Sequence, residues 1–315
     1  MKILLTGGTG YIGSVVLESL IARGHEVMAI VRSSDAATVV SAAGATPVLG
    51  DATNVEWLTA QLRRADGAIH TAAPSEGAEA FDRAIVTAVI DAFGGTSKPY
   101  VHTGGIWAYG DNSAITEESP RNAPARTAWR AGVEAVLLES NVLASIVEPA
   151  VVYGRGGGLI ALLASGPRAA DGALELIGSG EQHWTTVHVD DLAELYRLVW
   201  ESGNSVGRVI GASGLNPTIA ELGAAVSGTS RVIASDVATA HARFGVAFAD
   251  ALLLDQQADG AKARSLGWVP VQAGPKSLRM SPNRLLAITT SKKSGRCTKC
   301  AVRMSMWNLS TRTSG

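Results

Sequence analysis

Cysteine is nearly absent: among 315 residues there are two, Cys297 and Cys300. So small a number excludes a disulfide-stapled fold. The pair has neither a second pair nor a nearby histidine to complete a zinc site, so no metal is expected. Long apolar runs are also missing. No stretch is long and apolar enough to span a bilayer, and the N-terminal apolar run breaks at glycines within a few residues, unlike a secretion signal. No membrane partner is expected, and the chain reads as cytoplasmic. Net charge is scarce too, −1 overall, which speaks against nucleic acid as a partner. That balance conceals a division. No acidic residue follows Asp259 while 11 of the 27 basic ones do, leaving residues 1–259 with 16 basic against 28 acidic residues, a formal charge of −12. From about Lys276 hydrophobic periodicity stops and Ser, Thr, Lys and Arg take over, so residues 276–315 read as a basic, disordered tail, native or appended.

Glycine, by contrast, is plentiful and pointedly placed. Residues 6–13 read Thr-Gly-Gly-Thr-Gly-Tyr-Ile-Gly, after the apolar run Ile3-Leu4-Leu5 and before an amphipathic stretch ending at Arg23-Gly24. A strand turning into a helix through glycines at this spacing cradles phosphate, because bare backbone N–H groups and the helix N-terminus face the anion. Gly7 permits the turn, Gly10 lets a pyrophosphate approach, and Gly13 lets helix and strand pack closely. The next strand ends at Arg32-Ser33-Ser34, beside the adenosine ribose. An acidic residue there would receive a free 2′-hydroxyl, whereas the Arg32 guanidinium suits a 2′-phosphate, so NADP(H) is favoured over NAD(H), with Asp35 the competing signal.

Short apolar runs alternate with helical patterns through the first half. Strands are predicted at Lys2–Thr6, Glu26–Val31, Thr46–Leu49, Gly67–Thr71, Tyr100–Thr103 and Ala144–Val147. Helices are predicted at Tyr11–Arg23, Asp35–Ala43, Val55–Arg64, Glu79–Phe93 and Ala128–Glu139. This is the pattern of an α/β fold, a Rossmann-type doubly wound parallel sheet with ligands at the carboxyl ends of its strands. After Pro149 the rhythm becomes irregular, with helices near Asp190–Glu201 and Ile219–Val226. The expected organisation is a nucleotide-binding domain over residues 1–150, a smaller substrate lobe interleaved with the core over 151–275, and the tail.

Several further motifs follow in order: Gly50-Asp51, His70-Thr71-Ala72-Ala73, Ala108-Tyr109-Gly110, Glu148-Pro149-x-x-x-Tyr153-Gly154, Val187-His188-Val189-Asp190-Asp191 and Leu266-Gly267-Trp268-x-Pro270. With the glycine loop they make residues 1–270 resemble the NAD(P)-dependent epimerase/dehydratase branch of the short-chain dehydrogenase/reductase superfamily. The resemblance implies a cofactor set of Gly7, Gly10, Tyr11, Ile12, Gly13, Arg32, Ser33, Asp51, Ala52, Ala72, Ala73, Thr103 and Pro149. Asp51 would meet the adenine and Pro149 the nicotinamide, while His188 and Asp191 would fasten the lobe to the core. It also implies a homodimer through the 79–93 and 128–139 helices.

The departures carry more chemistry than the matches. Where such enzymes hold Tyr-x-x-x-Lys, followed by an acidic residue, this chain reads Arg126-x-x-x-Arg130-x-x-x-Glu134, and the usual Ser or Thr position falls on Gly105. A guanidinium stays charged at any working pH, so Arg126 could steady an oxyanion or clamp a carboxylate but could hardly donate a proton. The proton is then left to a pocket water, Tyr109, Tyr153 or His183. Arg126 and Arg130 have a plainer reading as a helix-spaced pair meeting Glu134. Trp184 stands where sugar-nucleotide members carry an arginine. Together with Trp107 and Trp129 it points to a small, largely apolar substrate. The expected activity is an NADPH-dependent reductase of a carbonyl or conjugated compound. The alternatives are a catalytically silent NADP(H)-binding sensor and an isomerase or dehydratase that retains its cofactor.

Overall fold

The computed structural model describes residues 1–272 and Gly274. The readings made for 276–315, including the Cys297 and Cys300 pair, lie outside the described residues. Strands β1 (Lys2–Thr6), β2 (Glu26–Val31), β3 (Thr46–Leu49), β4 (Gly67–His70) and β5 (Pro99–Thr103) alternate with helices α1 (Tyr11–Ala22), α2 (Ser34–Ala42), α3 (Val55–Arg63) and α4 (Ala78–Phe93), and α5 (Arg130–Leu138) follows. The inner strands are apolar along their whole length because helices cover both faces, as a parallel sheet requires. Strands Leu143–Pro149 and Gly207–Gly211 complete a seven-stranded sheet in the order Gly207–Gly211, Leu143–Pro149, β5, β4, β1, β2, β3. Every pairing in it is parallel. The order reverses between β1 and β4, which opens a crevice above their carboxyl ends.

Three of the differences from the sequence reading have a plain local cause. β4 ends at His70 because Thr71 folds back, its hydroxyl donating to the Thr6 carbonyl at 2.8 Å. α5 starts at Arg130, since Thr127 and Ala128 still turn around the Pro124 carbonyl. The edge strand Gly207–Gly211 escaped notice because, with glycine at both ends and Arg208 inside, it has no periodicity of its own. Pairing with Leu143–Pro149 makes it a strand.

One face of the sheet packs on α1 and on α7 (Val189–Glu201), the helix that follows α6 (Gly158–Ala164); the other packs on α3, α4 and α5. A third cluster, including Tyr153, Leu163, Trp184, Leu222, Phe248 and Leu252, is built only from residues beyond 150. Its helices include α8 (Ile219–Val226), α9 (Val237–Phe244) and α10 (Val246–Leu252). Trp107 packs against both this cluster and the sheet core, so it sits where the two meet. Asp191 accepts from the backbone N–H groups of Val271 and Gln272, both at 3.0 Å, and its carbonyl accepts from the Trp268 indole, which ties the end of the described chain to the start of α7. No described helix is long and apolar enough to cross a membrane.

Candidate active site

The glycine loop is folded tightly on itself. Gly10 donates to the Gly7 carbonyl at 2.8 Å, and Gly7 has φ +80, with a Cβ there falling 2.6 Å from the Ala72 nitrogen. A side chain at Gly13 would strike the Gly7 carbonyl. Gly10 is exposed and caps α1 with no side chain in the way, so the amides of Tyr11 and Ile12 open the helix toward the crevice. Arg32 and Ser33 are exposed at the end of β2, and the Ser33 hydroxyl caps α2 by accepting from Ala36 at 3.2 Å. Asp51 accepts from the Thr53 N–H at 2.9 Å, which holds its carboxyl below the ordinary range, with a lesser contribution from the charge of Arg32. Ala52 is buried behind it. Ala72 and Ala73 follow β4, and Pro149 is buried at the end of its strand. Thr103 donates to the His70 carbonyl at 2.5 Å and lies 2.7 Å from the Tyr196 hydroxyl, a commitment to the sheet. A bare glycine turn, an open helix start and a cation one strand away fit a dinucleotide.

At the other end of the crevice the arginines are the chemical feature. Arg130 donates through Nη1 to the carbonyls of Thr103 (2.8 Å) and Gly104 (3.2 Å), which sets its guanidinium at the end of β5. Glu134 is not its hydrogen-bond partner; one oxygen of that carboxylate accepts from Arg208 instead. Gly105 is extended, and a Cβ there would have no atom within 4 Å, so open space takes the place of a hydroxyl side chain. The Arg126 guanidinium lies 5.2 Å over the Phe248 ring, and burial beside that ring lowers its pKa from the ordinary arginine value. Trp129 donates from its indole to the Arg126 carbonyl at 3.1 Å and stacks under Arg130 at 5.0 Å. Trp107 meets Phe248 at 6.1 Å and Phe244 meets it edge-on at 5.8 Å, so aromatic rings wall the arginine end.

Four expected site residues are employed elsewhere. Tyr109 is buried, donates to Glu148 at 2.5 Å and lies under Arg121. Burial, followed by the Glu148 charge, pushes its pKa far up, so it is no proton donor for a ligand. Tyr153 is 1% exposed with its ring edge against His188, and burial pushes its pKa up to about 12. His183 is held by Asp255 through both its ring Nδ1 (2.9 Å) and its backbone N–H (2.8 Å), a latch between two chain segments. Trp184 is 2% exposed and donates to the Leu252 carbonyl at 3.1 Å, which makes it core of the third cluster and not pocket wall. Phe248, which the sequence did not single out, is the ring that meets Trp107, Phe244 and the Arg126 guanidinium. No motif could have flagged it, because an aromatic in the alanine-rich helix Val246–Leu252 reads as packing.

Two buried polar networks support the strand ends, and neither was foreseen. Glu134 and Glu148 are both essentially buried and share Arg208, while Arg121 pairs with Glu148. Behind β4 and β5, Thr6 pairs with His70 Nδ1 (2.7 Å), His70 Nε2 donates to Asp82 (3.2 Å), and Tyr100 pairs with His102 Nδ1 (2.9 Å). The two rings stack at 5.0 Å. Burial lowers the pKa of His102 to about 3. Burial works against the Asp82 charge, but the hydrogen bond and charge of His70 hold its carboxyl below the ordinary range.

Comparison with known proteins agrees with this geometry. The sequence pattern of the NAD dependent epimerase/dehydratase family matches residues 3–211. A protein of Saccharomyces cerevisiae known as uncharacterized protein YLL056C is 31% identical over 228 residues, covering 68% of this chain and 76% of its own. Among solved structures, the Thermotoga maritima UDP-glucose 4-epimerase with UDP-glucose superposes with TM-score 0.72 at 20% identity, covering 92% of this chain and 100% of that one. The human epimerase family protein SDR39U1 with NADPH superposes with TM-score 0.67 at 23% identity, covering 89% and 99%.

Proposed function

From the premise that this chain belongs to the NAD dependent epimerase/dehydratase family, we propose that it is an NADPH-dependent reductase of a small, largely apolar carbonyl or conjugated compound. The observation that carries this reading is the pair Arg126 and Arg130 at the reacting end, beside the open space at Gly105 and the Trp107–Phe248 wall. Bound NADPH would supply a hydride from C4 of its nicotinamide. The residues that would hold it are the glycine loop, Arg32 and Asp51 at the adenosine end and Thr103 and Pro149 at the other. The NADPH in the SDR39U1 structure supports the cofactor choice, because a similar fold accepts a 2′-phosphate. Buried Trp184, where sugar-nucleotide members carry an arginine, speaks against the UDP-glucose of the epimerase structure as a model for the substrate.

The chain's own part in the step is electrostatic. When hydride reaches a carbonyl or conjugated carbon, negative charge develops on oxygen, and a guanidinium aimed at that oxygen stabilises it without losing its own proton. The balancing proton comes from water in the space beside Gly105, since the Tyr109 hydroxyl is committed to Glu148, Tyr153 is buried and His183 is latched to Asp255. One hydride and one proton complete the two-electron reduction.

The test is NADPH consumption, followed by absorbance, across apolar ketones, aldehydes and enones. Arg126→Ala should lower kcat/KM by about 10²-fold or more, as loss of an oxyanion or substrate contact does, with NADPH affinity nearly unchanged. NADPH bound but never consumed would favour the silent sensor. Turnover with no net change at the nicotinamide band would favour an isomerase or dehydratase.

A further inference from the structure

We propose that His70 is the positioning residue of the phosphate loop: through the Thr6 hydroxyl it fixes the end of β1, and so sets the amides of the glycine turn for a pyrophosphate before the nucleotide arrives. The inference rests on the dinucleotide reading above for its consequence, but not for the contact itself. Its basis is where β4 ends. Thr6 and His70 stand opposite each other in the parallel register of β1 and β4, and the Thr6 hydroxyl lies 2.7 Å from His70 Nδ1. The residue that follows holds the other side of Thr6, because the Thr71 hydroxyl donates to the Thr6 carbonyl at 2.8 Å. The same Thr71 oxygen would stand 2.7 Å from a Cβ at Gly7 and closer still to one at Gly13. Residues 70 and 71 thus close on the root of the turn from both sides.

A turn built of glycine needs such a hold. Gly7, Gly8, Gly10 and Gly13 carry no side chains to restrict the loop, and each loses more backbone freedom on ordering than any other residue type. His70 can supply direction because its own ring is fixed. The carboxylate of Asp82, on α4, can only accept, so His70 donates to it from Nε2 at 3.2 Å, which leaves Nδ1 as the acceptor and the Thr6 hydroxyl as the donor. Asp82 also faces His102 Nε2 at 3.7 Å; the His102 ring stacks on His70 at 5.0 Å and its Nδ1 meets the Tyr100 hydroxyl at 2.9 Å. Thr6, His70, Asp82, Tyr100 and His102 are each at most 4% exposed. Apolar side chains of that volume would fill the space without the cost of stripping polar groups of water. They could not hold the Thr6 hydroxyl in one direction. With that hold, the loop meets the nucleotide already shaped, and less of the binding free energy is lost in ordering it.

Two measurements separate the contact from its consequence. In the nucleotide-free protein, Thr6→Val removes the hydroxyl at nearly constant shape, so the amides of residues 7–13 should exchange with deuterium about fivefold or more faster while those of α3 stay unchanged. Thr6→Ser keeps the donor and should exchange as the native chain does. Calorimetric titration of NADPH should follow the same order, with Thr6→Val binding about fivefold or more weaker and Thr6→Ser close to native. His70→Leu should weaken NADPH binding in the native background and change it little in Thr6→Val, because His70 acts through that hydroxyl. Should His70→Leu fail to fold, the two Thr6 variants decide alone. Unchanged loop exchange in Thr6→Val overturns the proposal, as does faster exchange with native NADPH affinity. An equal loss in Thr6→Ser, or in His70→Leu on both backgrounds, overturns it too, since the effect would then be one of packing. Faster loop exchange in Thr6→Val, in a protein whose native form binds neither NADPH nor NADH, would leave the hold on Thr6 standing and sink the dinucleotide reading alone.

Discussion

Arg32 shows how far a single residue can be argued. It stands exposed at the end of β2, and its charge reaches Asp51 beyond the end of β3, so this end of the crevice holds one cation and one anion. If the cation receives a 2′-phosphate, Arg32→Asp removes a charge-assisted contact and adds a repulsion. NADPH binding should weaken by about 2 kcal/mol or more while NADH changes little. Titration of both nucleotides against both proteins checks this, and equal affinity of the native chain for the two would refute the assignment. Residue-level reading failed where a polar side chain had a hidden partner. Tyr109 looked available in the sequence because nothing there reveals that Glu148, 39 residues on, lies 2.5 Å from its hydroxyl.

The segment around Gly154–Gly158 is the element with the clearest consequence. It crosses the start of α1: the Tyr11 hydroxyl donates to the Gly154 carbonyl at 2.9 Å, and a side chain at Gly157 would enter the Tyr11 ring. Arg155 takes a left-handed φ of 50 and is tied at 2.6 Å both to Glu18 of α1 and to Asp190 of α7. A non-glycine residue in that conformation costs on the order of 1 kcal/mol, and exposed ion pairs return about as much, so the strap is near balance. Arg155→Gly should therefore leave the melting temperature nearly unchanged. By freeing the strap beside the phosphate loop, it should speed NADPH release several-fold in a stopped-flow displacement experiment. An unchanged release rate would show that the strap does not hold the nucleotide.

Across the whole molecule, the buried His70–Asp82–His102 network should set the acid limit of stability. With its pKa lowered to about 3, His102 stays neutral in the fold, whereas in the unfolded chain it takes up a proton below about 6.5. The unfolded state then binds more protons throughout that window, so stability falls as pH drops from about 6.5 toward 3. Asp82, held below its ordinary range, adds stability above that range that is lost as pH falls through its depressed pKa. For His102 alone the loss between pH 7 and pH 5 is about 2 kcal/mol. Denaturant unfolding at the two pH values should show that loss in the native chain and not in His102→Asn, which keeps a partner for Tyr100 but does not titrate. Equal pH dependence in both proteins would remove His102 from the account.

What the sequence determined by itself is everything written in local pattern. The glycine spacing of residues 6–13, the apolar runs of the first five strands and the helices between them need only neighbours along the chain, and they recur in the structure within a residue or two. The glycine turn at the head of α1 was legible for the same reason, since its shape follows from the strand-to-helix turn alone. The rest was decided in three dimensions. Gly207–Gly211 is a strand only because Leu143–Pro149 offers it hydrogen bonds. Phe248 reaches Arg126 across 122 residues, and Trp184 turns into the lobe core because Leu252 accepts its indole proton. An aromatic or charged side chain carries no local sign of whether it faces a crevice or a core. Only the packing of distant elements settles which partner it meets and what chemistry it is left to do.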